Sequence, residues 1–130
     1  ICCSIDADTR PVTGMASAGV EPRVMGRGPL PAIRKLLARE GRSLGDYDLV
    51  EINEAFAAQV LPSYQDLGID LDRLNVNGGA IAVGHPFGMT GARLQATMLN
   101  SLDWHDKTTG LITMCVGGGQ GMAMIVERLS

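Results

Sequence analysis

No stretch of this sequence reaches the roughly 18 consecutive apolar residues that a membrane-spanning helix needs. No basic segment followed by a short apolar block stands at its start, as a secretory signal would. Neither end shows a lipidation pattern. A basic excess is also missing: eleven Lys and Arg against fourteen Asp and Glu leave a net charge of −3. That balance argues against a nucleic-acid partner, because phosphate-binding domains usually present a basic face. Pairable cysteines are missing as well. Cys2 and Cys3 are adjacent and Cys115 lies far downstream, so the three cannot pair completely. There is no C-x-x-C, and the two histidines have no ligand-like spacing, which disfavours a disulfide scaffold and a zinc site. Together these gaps point to a reducing, cytoplasmic setting without membrane or nucleic acid.

The 130 residues, 45% of them apolar, are enough for one domain with a core of its own. Glycine is abundant, at 17 residues, about twice its usual ~7% share. Much of it gathers at 78–91 and 117–121, beside His85 and Cys115. Clustered glycine next to reactive side chains suggests backbone packed close to a ligand. A flexible linker would lack the apolar neighbours seen here.

Residues 1–11 show no clear period. Residues 12–20 read as a strand of small side chains. Residues 29–41 read as a helix, with Pro29 and Pro31 in its first turn, Leu30, Ile33 and Leu37 along one face, and Gly41 as its stop. Residues 48–52 form a short apolar run, expected as a buried strand. A second helix is expected over 54–67, with Phe56, Val60, Tyr64 and Leu67 as its stripe and Pro62 as a kink. A third is expected over 89–103, where Leu94, Met98 and Leu102 repeat every four residues. Residues 111–116 and 122–126 read as two strands joined by Gly-Gly-Gly-Gln-Gly. The order β-α-β-α-loop-α-β-β implies an α/β fold, with a mixed, mainly parallel sheet flanked by helices. In such sheets sites gather at the carboxyl ends of strands.

Three segments occupy such places. Asn53-Glu54-Ala55-Phe56 follows the 48–52 strand; its Asn could cap the next helix or hold a water or an oxyanion. The loop Gly78–Gly91 delivers His85 just ahead of a helix, whose positive end favours a neutral imidazole able to take a proton. A structural histidine is the simpler alternative. A phosphate cradle is another, but GxxxxGK[ST] is absent. Cys115-Val116-Gly117-Gly118-Gly119-Gln120-Gly121 ends a strand. A buried Cys is often only a small apolar side chain, but here the following glycines clear space around the sulfur and leave backbone N–H groups for an oxyanion. Cys115 and His85 suggest an activated pair; spacing leaves open whether the Cys attacks or carries protons.

The co-linear motifs NEAF, GGAIAVGHPFGMTGAR and MCVGGGQG, with Val24-Met25-Gly26-Arg27-Gly28-Pro29 fitting VMG-x-GP, resemble the carboxyl-terminal half of a thiolase. The resemblance covers about residues 14–129. It implies half of a thiolase-like fold, with a C-terminal domain over 12–130 after a poorly matched segment 1–11. Thiolases are acyltransferases of fatty acid metabolism that degrade or make 3-oxoacyl-CoA. The resemblance gives His85 the activation of a nucleophilic Cys and part of one oxyanion hole. It gives Asn53 a water in that hole, Cys115 proton transfer, and the Gly117 N–H a second hole. Met25 and Phe56 would shape the acyl pocket. Substrates would be coenzyme A thioesters, with no tightly bound cofactor and no metal. Decarboxylating ketosynthases carry His where Cys115 stands, and a sterol-carrier-linked group carries His where Asn53 stands. The pattern here therefore favours an ordinary thiolase, of the acetyl-CoA C-acetyltransferase class.

The family's chains are roughly three times this length, and the nucleophilic Cys belongs to their amino-terminal half. The expected partner is that missing half, in an enzyme expected to be a homo-oligomer, with this chain inactive alone. The alternative is a non-catalytic CoA-binding or dimerisation module derived from a thiolase. Arg23, Arg27, Arg34 and Lys35 are the nearest candidates for CoA phosphates, the last two more in keeping with a solvated helix face.

Overall fold

The computed structural model describes residues 12–128; segment 1–11, with Cys2 and Cys3, lies outside the described residues. Four strands form one sheet: β1 (Val12–Gly19), β2 (Leu49–Ile52), β3 (Thr109–Val116) and β4 (Gln120–Glu127). Three helices of more than two turns flank it: α1 (Pro29–Glu40), α2 (Ala57–Leu67) and α4 (Phe87–Trp104). A single turn, α3 (Ala80–Val83), interrupts the glycine-rich loop and was not expected from the sequence.

The sheet order is β1-β4-β3-β2. It is mixed, as expected, but not mainly parallel. Only β2 and β3 pair parallel; β4 pairs antiparallel with both β3 and β1. The reason lies in one insertion. β1, β2 and β3 all run the same way, as strands joined by helical connections should. The hairpin then turns β4 back between β1 and β3, so two of the three neighbour pairs become antiparallel.

Local chemistry sets the helix ends. α1 starts on Pro29 and stops at Gly41, whose φ of 64° is left-handed and costs least without a Cβ. Its buried face is Leu30, Ile33 and Leu36, with Leu37 half-buried. α2 begins at Ala57, three residues later than the sequence suggests, and Phe56 rather than Asn53 is its cap. Pro62 sits inside α2 on its exposed side. The 18-residue α4 buries Leu94, Met98 and Leu102 in the expected spacing.

The strands' period of two sends alternate residues to opposite faces. Val50, Ile52, Leu111 and Ile125 meet Ile33 and Leu36 of α1 and Val60 of α2. Leu49, Ile112 and Val126 meet Leu94, Met98 and Leu102 of α4. Each such Leu or Ile contributes roughly 1.5–3 kcal/mol when fully buried. The result is helix, sheet and helix in three layers, with the carboxyl ends of β2 and β3 at one edge. Among the described residues, no helix is long and apolar enough to cross a membrane.

Candidate active site

At that edge a cavity of about 470 Å³ is lined by Met25, Phe56, His85, Cys115 and Gly117, with Phe87 beside the imidazole. These residues come from four separate stretches of chain. Two other cavities are comparable: about 590 Å³ between Gly26 and Gln59, and about 540 Å³ near Tyr47 and Lys107 at the opposite end of β2. Neither holds His85 or Cys115.

Met25 reaches the cavity through a close backbone contact. Its 3-10 segment, Pro22–Arg27, leads into Gly28, and a Cβ on Gly121 of β4 would overlap the Gly28 carbonyl. The Val20 N–H also donates to the Gly119 carbonyl at 2.7 Å, on a turn where Gly118 and Gly119 both have positive φ. The glycines of the hairpin therefore seat the Met25 segment against the sheet.

His85 lies two residues before α4, and its ring packs edge-on to Phe87, with centroids 5.0 Å apart. Its Nδ1 is 2.6 Å from Thr90 Oγ1. The Thr90 hydroxyl donates to the Pro86 carbonyl at 2.9 Å, a bond common for Thr inside helices. The remaining Oγ1 lone pair then accepts from Nδ1–H, so neutral His85 carries its proton on Nδ1 and keeps Nε2 as a base.

Asn53, fully buried, stands behind His85 rather than on the cavity wall. Its Nδ2 is 3.2 Å from Nε2 and 3.4 Å from Nδ1. Near-equal distances mean that the amide meets the ring face, leaving the in-plane Nε2 lone pair free. The Asn53 Oδ1 accepts from Arg93 Nη2 at 3.1 Å, and Arg93 Nη1 donates to Glu51 Oε1 at 3.0 Å.

Cys115 is buried at the end of β3, opposite Gly121 in register. Burial pushes its thiol pKa up, so the sulfur holds a proton near neutral pH and is not a standing thiolate. Gly117, the first residue of the turn after β3, is exposed at the cavity mouth.

Four residues that the sequence reading passed over support this arrangement. Glu54 Oε1 accepts from Asn75 Nδ2 at 3.0 Å, and its Oε2 accepts from the Ile81 N–H at 2.9 Å. One carboxylate thus braces the chain that leads to His85. Thr90 and Arg93 stand at i and i+3 on α4, the spacing of a shared helix face. Glu51, on β2, stands two residues before Asn53, which follows the strand's last residue, so the strand alternation sends both to the same side. That alternation was visible in the sequence, but its partner on α4 was not.

Burial pushes the Glu51 pKa up to about 7, against the pull of Arg93 and with a push from Glu54. The folded value exceeds the unfolded one, so between about pH 4.5 and 7 the native state binds more protons. Stability from this group is therefore lost as pH rises through that window. Urea unfolding of the chain at pH 5 and pH 8 should show a loss that Glu51→Gln lacks, on the order of 3 kcal/mol. Parallel pH dependence in the two proteins would remove Glu51 as its source.

The thiolase C-terminal domain family model matches residues 9–128. Over 119 residues the chain is 54% identical to acetyl-CoA acetyltransferase of Escherichia coli (strain K12), covering 92% of this chain and 30% of that protein. Over 120 residues it is 58% identical to beta-ketoadipyl-CoA thiolase of Pseudomonas knackmussii, covering 91% and 30%. The crystal structure of the Bacillus anthracis acetyl-CoA acetyltransferase superposes with a TM-score of 0.90 at 45% identity, over 93% of this chain and 31% of that one. Human mitochondrial 3-ketoacyl-CoA thiolase in complex with CoA gives 0.88 at 44% identity, over 92% and 30%. The chain thus spans about 30% of the length of the relatives it matches. With the motif residues gathered at one edge of a sheet that superposes on these structures, the chain belongs to the thiolase family, as a C-terminal domain.

Proposed function

We propose that this chain supplies one half of a thiolase active site, for reversible Claisen condensation or thiolysis of acetoacetyl-CoA or another 3-oxoacyl-CoA. The observation that carries the reading is the single cavity in which Met25, Phe56, His85, Cys115 and Gly117 converge. An amino-terminal half provides the nucleophilic Cys. His85 Nε2 takes the proton of that thiol, and the thiolate adds to the C3 carbonyl of the 3-oxoacyl-CoA. The C2–C3 bond breaks, leaving an acyl thioester on the nucleophile. The departing acetyl-CoA enolate takes a proton at C2 from Cys115. The CoA thiol then attacks the thioester, giving its proton to Cys115; the acyl–sulfur bond to the nucleophile breaks, its thiolate takes back the proton held by His85, and the shortened acyl-CoA leaves. His85 holds the charge developing on one oxygen, with a water held by Asn53 completing that hole, and the Gly117 N–H holds that on the other. Coenzyme A enters as substrate and product, and the reducing cytoplasmic setting is part of the same proposal.

The test is thiolysis of acetoacetyl-CoA by the chain alone and with a separately produced amino-terminal half of a thiolase. The expected result is no turnover and no acyl adduct for the chain alone, and turnover with the adduct on the added half. Turnover by the chain alone, with an acetyl group trapped on one of its own cysteines, would overturn the half-site reading.

A further inference from the structure

The buried pair Glu51–Arg93 spans two elements, β2 and α4, and ends on Asn53. Glu51 and Asn53 are 2% and 0% exposed, and the Arg93 side chain is 13% exposed. A guanidinium has donors only and presents them in a rigid fork. One arm is fixed on Glu51 Oε1 at 3.0 Å, and the other donates to Asn53 Oδ1 at 3.1 Å. An amide whose oxygen faces Arg93 must turn its NH₂ towards His85. Flipped by half a turn, the amide would set two donors against each other at Arg93. It would also bring a carbonyl oxygen to the imidazole in place of an N–H.

We infer that Glu51 and Arg93 are positioning residues, which hold the Asn53 amide in the one orientation that turns its N–H donor towards His85. Glu51 acts through Arg93, and Arg93 acts through Asn53; neither lines the cavity. The kinetic part of this inference rests on the proposed function. The orientation of the amide does not.

The chain alone tests the orientation. In ¹⁵N–¹H spectra the Asn53 side-chain NH₂ should exchange slowly with solvent. Arg93→Met should speed that exchange about tenfold or more, while the backbone N–H of Asn53, which donates to the Thr113 carbonyl at 2.9 Å, stays protected. Should Arg93→Met fail to fold, Arg93→Lys serves instead, because one ammonium cannot span both partners. Unchanged Asn53 NH₂ shifts and exchange in a folded variant would overturn the inference. The complemented enzyme tests the consequence by a double-mutant cycle. Asn53→Ala should lower kcat about 10²–10³-fold, and Arg93→Met about tenfold or more, with KM changed less than twofold. Added to Asn53→Ala, Arg93→Met should cost less than twofold further. Additive losses would mean that Arg93 does not act through Asn53. An inactive wild-type pair would instead count against the proposed function and leave the amide-exchange result to decide the orientation.

Discussion

Replacing His85 or Cys115 with alanine should lower thiolysis by the complemented enzyme by on the order of 10³–10⁴-fold, the worth of a positioned acid or base together with its share of charge stabilisation. The two losses should differ in kind. Without His85 the nucleophile keeps its proton, so the acyl thioester on the other half should fail to form. Without Cys115 the thioester can still form, but the enolate has no proton donor and acetyl-CoA has no base. Exchange of the acetyl-CoA methyl protons with deuterated solvent should therefore vanish in Cys115→Ala. The raised thiol pKa fits this division, since a buried neutral Cys is poised to carry a proton. Loss of acetoacetyl-CoA over time, mass spectrometry of the thioester and deuterium uptake read the three quantities. Near-normal turnover in either variant would remove that residue from the mechanism.

The second large effect is structural. Gly121→Ala places a methyl group where the Gly28 carbonyl already stands, with Pro29 N only 2.7 Å away. Overpacking against side chains typically costs 1–3 kcal/mol because they can rotate aside. Here the obstacles are backbone atoms at the start of α1. The expected loss is about 3 kcal/mol or more, a large part of the 5–15 kcal/mol that holds a domain together. Urea unfolding would show it as a lower midpoint. The cavity should suffer too, because the same contact seats Met25, and Gly121 faces Cys115 across the hairpin. An unfolding free energy within a few tenths of a kcal/mol of wild type would mean that the 3-10 segment shifts freely.

Asn53, His85 and Cys115 were legible as candidates because each carries its chemistry in its own neighbourhood, whereas Met25 and Phe56 came from the family resemblance alone. Glycines beside Cys115 and His85, and an Asn just past a short apolar strand, mark the edge of an α/β sheet without knowledge of any partner. The helix ends were legible for the same reason: Pro29 and Gly41 act on the backbone next to them. What stayed hidden depends on distant pairing. Nothing local in 122–126 shows that β4 lies between β1 and β3, so the sheet is less parallel than its strand-helix order suggests. Arg93 is 40 residues from Asn53, and only the meeting of α4 with β2 gives it a role. Asn53 looked equally suited to capping a helix. Its side chain is instead held by Arg93, and α2 starts later, at Ala57.

The position of β1 also bears on how the molecule comes into being. At the sheet's outer edge, β1 has β4 as its sole neighbour in the sheet among the described residues, with Val12 opposite Val126. During synthesis at roughly 5–20 residues per second, β1 waits several seconds or more for its partner to leave the ribosome. Closing so long a loop is also slow, because the entropy of the intervening chain is lost before the pairing offsets it. Until then β1 is an open edge carrying Met15, a template for strands of other molecules. The strand order thus leaves the earliest strand of the described residues to be completed by the last one.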